Sequence, residues 1–253
     1  MNRPYVFIGN NMILIIKHID IEGPGTLGDF FKKQDEPFRI IELGAGEALP
    51  TDLNGIKAVV VLGGPMNVDE EDKYSFLSPE NKFIKTVLKE EIPYLGICLG
   101  SQLLAKAAGA RVVKSPLKEV GWYKIKLTDE GKEDPFLKGF QENEMIFHWH
   151  DDMFEIPQDA RLLATGLGCP HQALRVGKNA YGIQFHVEIT DASIKEWCHE
   201  YWRPHSSLSQ HGGGIGRGKD KIKELLNGYT QYKKQFDLQA ERLYQNFLRI
   251  ANL

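Results

Sequence analysis

The chain reads as an α/β protein in which a central mixed, mostly parallel sheet carries helices on both faces. Three observations predict this. Short β-branched apolar runs alternate with amphipathic stretches from Met12 to Gly109. The runs are nearly continuous in apolar character, as strands buried on both faces are. The 253 residues are 42% hydrophobic and 26% charged, the profile of a globular protein with a sizeable core.

Residues 1–11 fit no element and are expected to form a disordered extension. Strands are predicted at Ile13 to Lys17, Arg39 to Leu43, Ala58 to Leu62 and Tyr94 to Cys98. Between them lie helices at Thr26 to Lys33 and Pro79 to Glu90, the second with Ser78 as N-cap and Pro79 at N1. A third helix, Ser101 to Ala108, follows the fourth strand almost without a loop and stops at Gly109, a natural end residue. Beyond it come short strands at Arg111 to Lys114, Tyr123 to Leu127, Met145 to His148, Arg161 to Ala164, Ala173 to Val176 and Tyr181 to His186, parted by turn residues and expected to extend the same sheet. The tail is helical, with apolar faces at Ile194, Trp197 and Tyr201 and at Leu238, Leu243, Phe247 and Ile250. Residues 204–218 are rich in Ser, His and Gly and read as a mobile loop. Their glycines do not fit G-x-G-x-x-G, and no strand leads into them.

Composition narrows the function. Lys and Arg total 31 against 34 Asp and Glu, a formal charge of −3, so no nucleic-acid partner is indicated. Apolar runs such as Met12 to Ile16 fall short of the ~20 residues that span a bilayer, and the N-terminus lacks a secretory pattern. The chain is expected to be cytoplasmic and to have no membrane partner. Three cysteines, Cys98, Cys169 and Cys198, make no disulfide framework.

The chemistry centres on Gly96-Ile97-Cys98-Leu99-Gly100-Ser101-Gln102, where a strand meets a helix. A nucleophile on so sharp a turn needs glycine two positions to either side, because neighbouring backbones approach closely. Cys98 at the helix N-terminus faces the positive end of the dipole, which favours a thiolate, and the Leu99 N–H points toward a developing oxyanion. A thiolate needs a base and the base an orienting group. His186 and Glu188, two apart in Gln184-Phe185-His186-Val187-Glu188, share one face of an extended strand. Gly63-Gly64-Pro65-Met66 ends another strand at the same sheet edge, where a backbone N–H can approach a ligand. Glu22, in the loop after the first strand, is placed to meet an ammonium group or to remain a loop carboxylate. The run His148-Trp149-His150-Asp151-Asp152 partly matches H-x-H-x-D of metallohydrolases, but Met153 stands where a further His belongs. No metal and no cofactor are expected. Cys169 and Cys198 lack flanking glycines and read as structural.

Together, Gly63-Gly64-Pro65, the Gly96 to Gln102 run and the Gln184 to Glu188 run resemble the class I (triad-type) glutamine amidotransferases, in register from about residue 12 to 190. Within that family, His18-Ile19-Asp20-Ile21-Glu22-Gly23-Pro24-Gly25 and Glu119-Val120-Gly121-Trp122 resemble stand-alone members similar to the amidotransferase domain of GMP synthase. The resemblance implies a flavodoxin-like fold and a Cys98, His186, Glu188 triad that hydrolyses the side-chain amide of glutamine through a γ-glutamyl thioester. It implies oxyanion donors at Gly64 and Leu99, and substrate contacts at Gln102, Met66 and the His148-Trp149-His150 segment, with Trp149 and His150 as its contacting residues. Where the family has F-H-P-E this chain has Phe185-His186-Val187-Glu188, and Val adds an N–H while freeing φ.

The organisation expected is an amidotransferase domain at 12–190 and a helical appendage at 191–253 packed on it. The appendage holds 253 − 190 = 63 residues with no phosphate-binding loop, so the ammonia acceptor is expected to be a separate synthase. Two other readings stay open, a γ-glutamyl peptide or γ-glutamyl amine hydrolase with the same triad, and a non-catalytic regulatory relative. Homo-oligomerisation is also left open.

Overall fold

A computed structural model describes residues 11–202 and 219–253. The expected extension at 1–11, Asn11 apart, and the Gly-rich stretch 204–218 lie outside the described residues. In chain order the elements are β1 (Met12–Lys17), α1 (Gly25–Lys33), β2 (Phe38–Glu42), β3 (Ile56–Val61), α2 (Leu77–Lys89), β4 (Tyr94–Ile97), α3 (Leu99–Ala107), β5 (Val112–Leu127), α4 (Asp129–Glu133), β6 (Asn143–Phe154), β7 (Arg161–Gly166), β8 (Ala173–Val176), β9 (Ala180–Ile183), α5 (Asp191–Trp202) and α6 (Lys219–Ala251).

One nine-stranded sheet runs β2-β1-β3-β4-β9-β8-β7-β5-β6. β2, β1, β3, β4 and β9 are mutually parallel, and the pairs from β9 through β8, β7 and β5 to β6 are antiparallel. The continuous apolar strands follow from two covered faces. Ile13, Ile15, Ala58 and Val60 pack with Leu27, Phe31, Leu243 and Phe247 of α1 and α6. Their neighbours Leu14, Ile16, Val59 and Val61 pack with Ile84, Val87, Leu103 and Leu104 of α2 and α3. Each such Val, Leu, Ile or Phe side chain contributes about 1.5–3 kcal/mol on burial, so a single strand position exchanged for a charge would disturb one whole layer.

Several expected boundaries move. α2 starts at Leu77 with Phe76 as its cap, so Ser78 is not the N-cap. Pro79 still fits, because the first four N–H groups of a helix have no partner inside it and a missing one costs nothing there. The two short strands at Arg111 to Lys114 and Tyr123 to Leu127 are one strand, β5. It pairs with β6 across a register shift between Lys114 and Glu119. β6 runs on to Phe154 and so takes His150 with it. β9 stops at Ile183, and His186 forms only an isolated bridge to Phe147. Leu238, expected on the apolar face of the last helix, is 47% exposed, the seam turning instead through Phe236, Ala240, Leu243 and Phe247.

The parallel half sets the site. Its strands all end at one edge of the sheet, and the loops after β1, β3, β4 and β9 meet there, as they do at ligand crevices of α/β sheets.

Candidate active site

Cys98 lies between β4 and α3 with φ 51° and ψ −108°, in left-handed space that a side-chain-bearing residue enters at a cost of about 1–3 kcal/mol. The neighbouring glycines make this turn sterically open. A Cβ on Gly100 would run into the Val61 carbonyl of β3, and one on Gly96 into the Gly100 carbonyl. These obstacles are backbone atoms, which cannot swing aside. The Tyr94 hydroxyl donates to the Gly100 carbonyl at 2.8 Å and braces the turn from below. Gln184 Nε2 lies 3.7 Å from the Cys98 Sγ, and the thiol reaches the Trp149 carbonyl at 3.9 Å.

His186 lines the same cleft as Cys98. Its Nδ1 stands 2.7 Å from Glu188 Oε1, while Glu188 Oε2 accepts the Val187 N–H at 2.9 Å. The pair does not sit on an extended strand, since the chain bends after Ile183, but the bend still delivers both groups to one side. Three outside contacts hold it. Thr26 N–H donates to the Glu188 carbonyl at 2.9 Å, and the Tyr244 hydroxyl of α6 donates to the Val187 carbonyl at 3.0 Å. On the other side Trp197 of α5 packs edge-on against the His186 ring, centroids 4.9 Å apart. Burial disfavours a charged His186, but the charges of Glu188 and Cys98 and the hydrogen bond to Glu188 outweigh it, leaving the imidazole pKa well above its ordinary value. An imidazolium is therefore favoured beside the sulfur.

The Gly63-Gly64 turn after β3 adjoins the His186 and Glu188 pair, a Cβ on Gly63 falling 3.3 Å from His186 Cε1. A Cβ on Gly64 would come within 2.8 Å of Leu99 Cδ2 and 2.9 Å of the Met66 sulfur, so Gly64, Leu99 and Met66 converge. The turn is held from behind by His18, which sequence reasoning missed as a site residue. Its Nδ1 is 2.7 Å from the Gly63 carbonyl, and its Nε2 is 3.0 and 3.2 Å from the two oxygens of Glu80. Both residues are fully buried. Glu22 is also buried and accepts a hydrogen bond from the Tyr201 hydroxyl of α5. Burial pushes the Glu22 carboxyl up, the His186 charge opposing.

The resulting cleft of about 430 Å³ is lined by Cys98, His186, Gly64, Met66, Gln102, Trp149, His150 and Glu22. Glu188 stands behind His186 and Leu99 behind Cys98. Every residue expected at the site is thus brought to one place. Gln102 is anchored by Nε2 contacts to the Asp152 carbonyl and Gln184 Oε1, both at 3.2 Å. Trp197 and Tyr201 complete the wall, two site residues that sequence reasoning missed. Their aromatic density in α5 is the available signal, and it reads equally well as core. Cys169 and Cys198 lie away from the cleft, buried, with thiols pushed up to about 11 and about 12 by desolvation. Among the described residues, Glu119, His148 and His150 are the group whose donor atoms converge closely enough to hold a metal ion.

A family model described as glutamine amidotransferase class-I matches residues 35–196, more than half of the chain. This chain belongs to the class I glutamine amidotransferase family. It is 38% identical over 154 residues to the glutamine amidotransferase-like protein YfeJ of Salmonella typhimurium, an alignment covering 60% of this chain and 64% of YfeJ. The chain thus spans less than two thirds of that relative. It is 35% identical over 140 residues to one subunit of the glutamine-hydrolyzing GMP synthase of Saccharolobus solfataricus, covering 54% of this chain and 70% of that polypeptide. Among solved structures, a glutamine amidotransferase from Thermotoga maritima superposes with a TM-score of 0.82 at 32% identity, over 96% of this chain and 99% of that one. The flavodoxin-like α/β architecture of class I amidotransferases accounts for the sheet and for the edge on which the cleft lies. No helix among the described residues is long and apolar enough to cross a membrane.

Proposed function

We propose that this amidotransferase hydrolyses the side-chain amide of glutamine to glutamate and ammonia through a γ-glutamyl thioester on Cys98. The observation that carries the reading is Cys98 itself, in left-handed backbone at the head of α3 and sharing one cleft with a His186 that Glu188 orients. In the first half-reaction the thiolate attacks the amide carbon and the carbonyl electrons move to oxygen. The N–H groups of Leu99 and Gly64 stabilise that oxyanion. Collapse of the adduct breaks the C–N bond, and His186 gives its proton to the departing ammonia. Neutral His186 then takes a proton from water, whose oxygen attacks the thioester, and the thiolate leaves with its electrons. Glu188 holds the imidazole tautomer throughout. Gln102, Met66, Trp149, His150 and Glu22 contact the amino-acid end of the substrate, the Glu22 carboxylate facing its ammonium.

The ammonia acceptor in this reading is a separate synthase. Support comes from the Saccharolobus solfataricus relative, which by its name is one of the polypeptides that make up a GMP synthase. The three thiols are unpaired, as a reducing cytoplasm keeps them. Cys98→Ala is expected to lower glutaminase kcat on the order of 10⁶-fold with unfolding unchanged, as loss of a nucleophile does. Activity retained by a folded Cys98→Ala protein would remove the assignment. Much higher kcat/KM for γ-glutamyl dipeptides than for glutamine would make the protein a γ-glutamyl hydrolase instead.

A further inference from the structure

Beneath the cleft, β5 and β6 bring together three buried side chains that the amidotransferase chemistry does not use as a group. Glu119 follows the register shift in β5, and His148 and His150 flank Trp149 in β6. Glu119 Oε2 lies 3.1 Å from His150 Nε2 and 3.4 Å from His148 Nδ1, and the two nitrogens are 3.4 Å apart. A tetrahedral ion with ligands at about 2.0–2.1 Å needs neighbouring donors about 3.3 Å apart, whereas right-angled donors at that bond length would be about 2.9 Å apart. The observed triangle is a face of the tetrahedron.

Hydrogen bonding alone serves these atoms poorly. Gln172 Nε2 already donates to the same Glu119 Oε2 at 2.8 Å, so three nitrogens crowd one carboxylate oxygen. Such an oxygen offers about two lone-pair sites. His150 Nδ1 lies 3.2 Å from the Asp152 carbonyl, which can only accept, so Nδ1 bears the hydrogen. In a neutral ring Nε2 then turns a lone pair on the carboxylate, a contact relieved by a proton on Nε2 or by a cation between the two atoms. His148 is fully buried beside it. Its Nε2 has no partner, which leaves Nδ1, facing the cluster, as its one engaged nitrogen.

We propose that Glu119, His148 and His150 bind a divalent transition metal, zinc by preference, as three ligands of a tetrahedral site. Two imidazoles and a carboxylate are donors that zinc takes readily. The cation removes the lone-pair conflict, and Oε2 then serves one metal bond and one hydrogen bond. Gln172 to Glu119 and the Asp152 carbonyl to His150 become the outer contacts that orient ligands. The ion clips β5 to β6 across the register shift and fixes Trp149, whose carbonyl faces the Cys98 sulfur. His150 lines the cleft, which gives the ion its entry path.

The test is a cobalt titration of the full chain, free of any polyhistidine tag and stripped with chelator. It is made on a Cys98→Ser background so that the cleft thiol cannot act as ligand. A saturable visible band of tetrahedral cobalt is expected at one equivalent, without thiolate charge transfer, displaced by zinc and accompanied by a rise in Tm. Gln172→Ala should weaken binding about 10–100-fold, and His148→Gln more than that, with far-UV circular dichroism confirming the fold. A missing band, a band with thiolate charge transfer, or full binding by folded His148→Gln would each overturn the proposal. Should His148→Gln fail to fold, the Cys98→Ser titration decides by itself.

Discussion

Replacing His18 with Leu isolates one part of the proposed oxyanion site without touching substrate. The Gly63 carbonyl and the Gly64 N–H belong to one peptide plane and, in a trans peptide, point in opposite directions. A hydrogen bond of 2.7 Å from His18 Nδ1 to that carbonyl holds this peptide plane and, in the proposed mechanism, aims the Gly64 N–H at the oxyanion. Deleting an oxyanion donor outright costs about 10²–10³-fold in kcat, and a donor left in place but unaimed should cost about 10–100-fold, with KM little changed. Stability falls too, because Glu80 is left buried without its partner at 3.0 Å, a loss of about 3–5 kcal/mol. The double variant His18→Leu/Glu80→Leu removes the orphaned carboxylate and should regain most of that loss without regaining kcat. Burial lowers the His18 pKa, but the Glu80 charge and the bonds to Glu80 and Gly63 raise it more, to above the ordinary 6.5. The stabilisation from protonated His18 is complete below 6.5 and is lost as pH rises through the folded pKa, so the wild-type advantage in urea unfolding should shrink in alkaline buffer. Glutaminase kinetics and urea titrations read both effects. A folded His18→Leu protein with kcat within about twofold of wild type would refute the aiming of the peptide by His18.

Gly100→Ala places a Cβ against Val61 backbone and should cost about 1–3 kcal/mol or more in urea unfolding while slowing alkylation of Cys98. Glu188→Gln removes the largest influence holding the His186 pKa up, so kcat should fall about 10⁴-fold and its pH profile should change shape. Brief iodoacetamide treatment of the native protein should label Cys98 alone by peptide mass spectrometry, since burial pushes Cys169 up to about 11 and Cys198 up to about 12. Early labelling of either would contradict the packing.

The inner parallel strands are readable because both faces are covered over Ile13 to Ile16, Ala58 to Val61 and Tyr94 to Ile97, which leaves unbroken apolar runs there. Cys98 is readable because its turn demands glycine at 96 and 100, and a backbone collision leaves no other choice. The β5–β6 ribbon reads as shorter pieces because Ser115 to Lys118, bulged and polar, look like a loop. His186 and Glu188 stand out by their spacing, though the strand geometry that spacing suggests ends at Ile183. What sequence could not supply was partnership across distance. Glu80 lies 62 positions from His18, Tyr201 lies 179 from Glu22 and Gln172 lies 53 from Glu119. Spacing within an element identifies a face, but only the packing of elements says what that face meets.

The central claim is that Cys98 carries the γ-glutamyl group. The direct measurement is mass spectrometry of protein quenched in acid during turnover of glutamine. One γ-glutamyl adduct is expected on the peptide containing Cys98, released by hydroxylamine and absent from Cys98→Ala. Steady ammonia release from glutamine with no such adduct, or an adduct on Cys169 or Cys198, would contradict the claim.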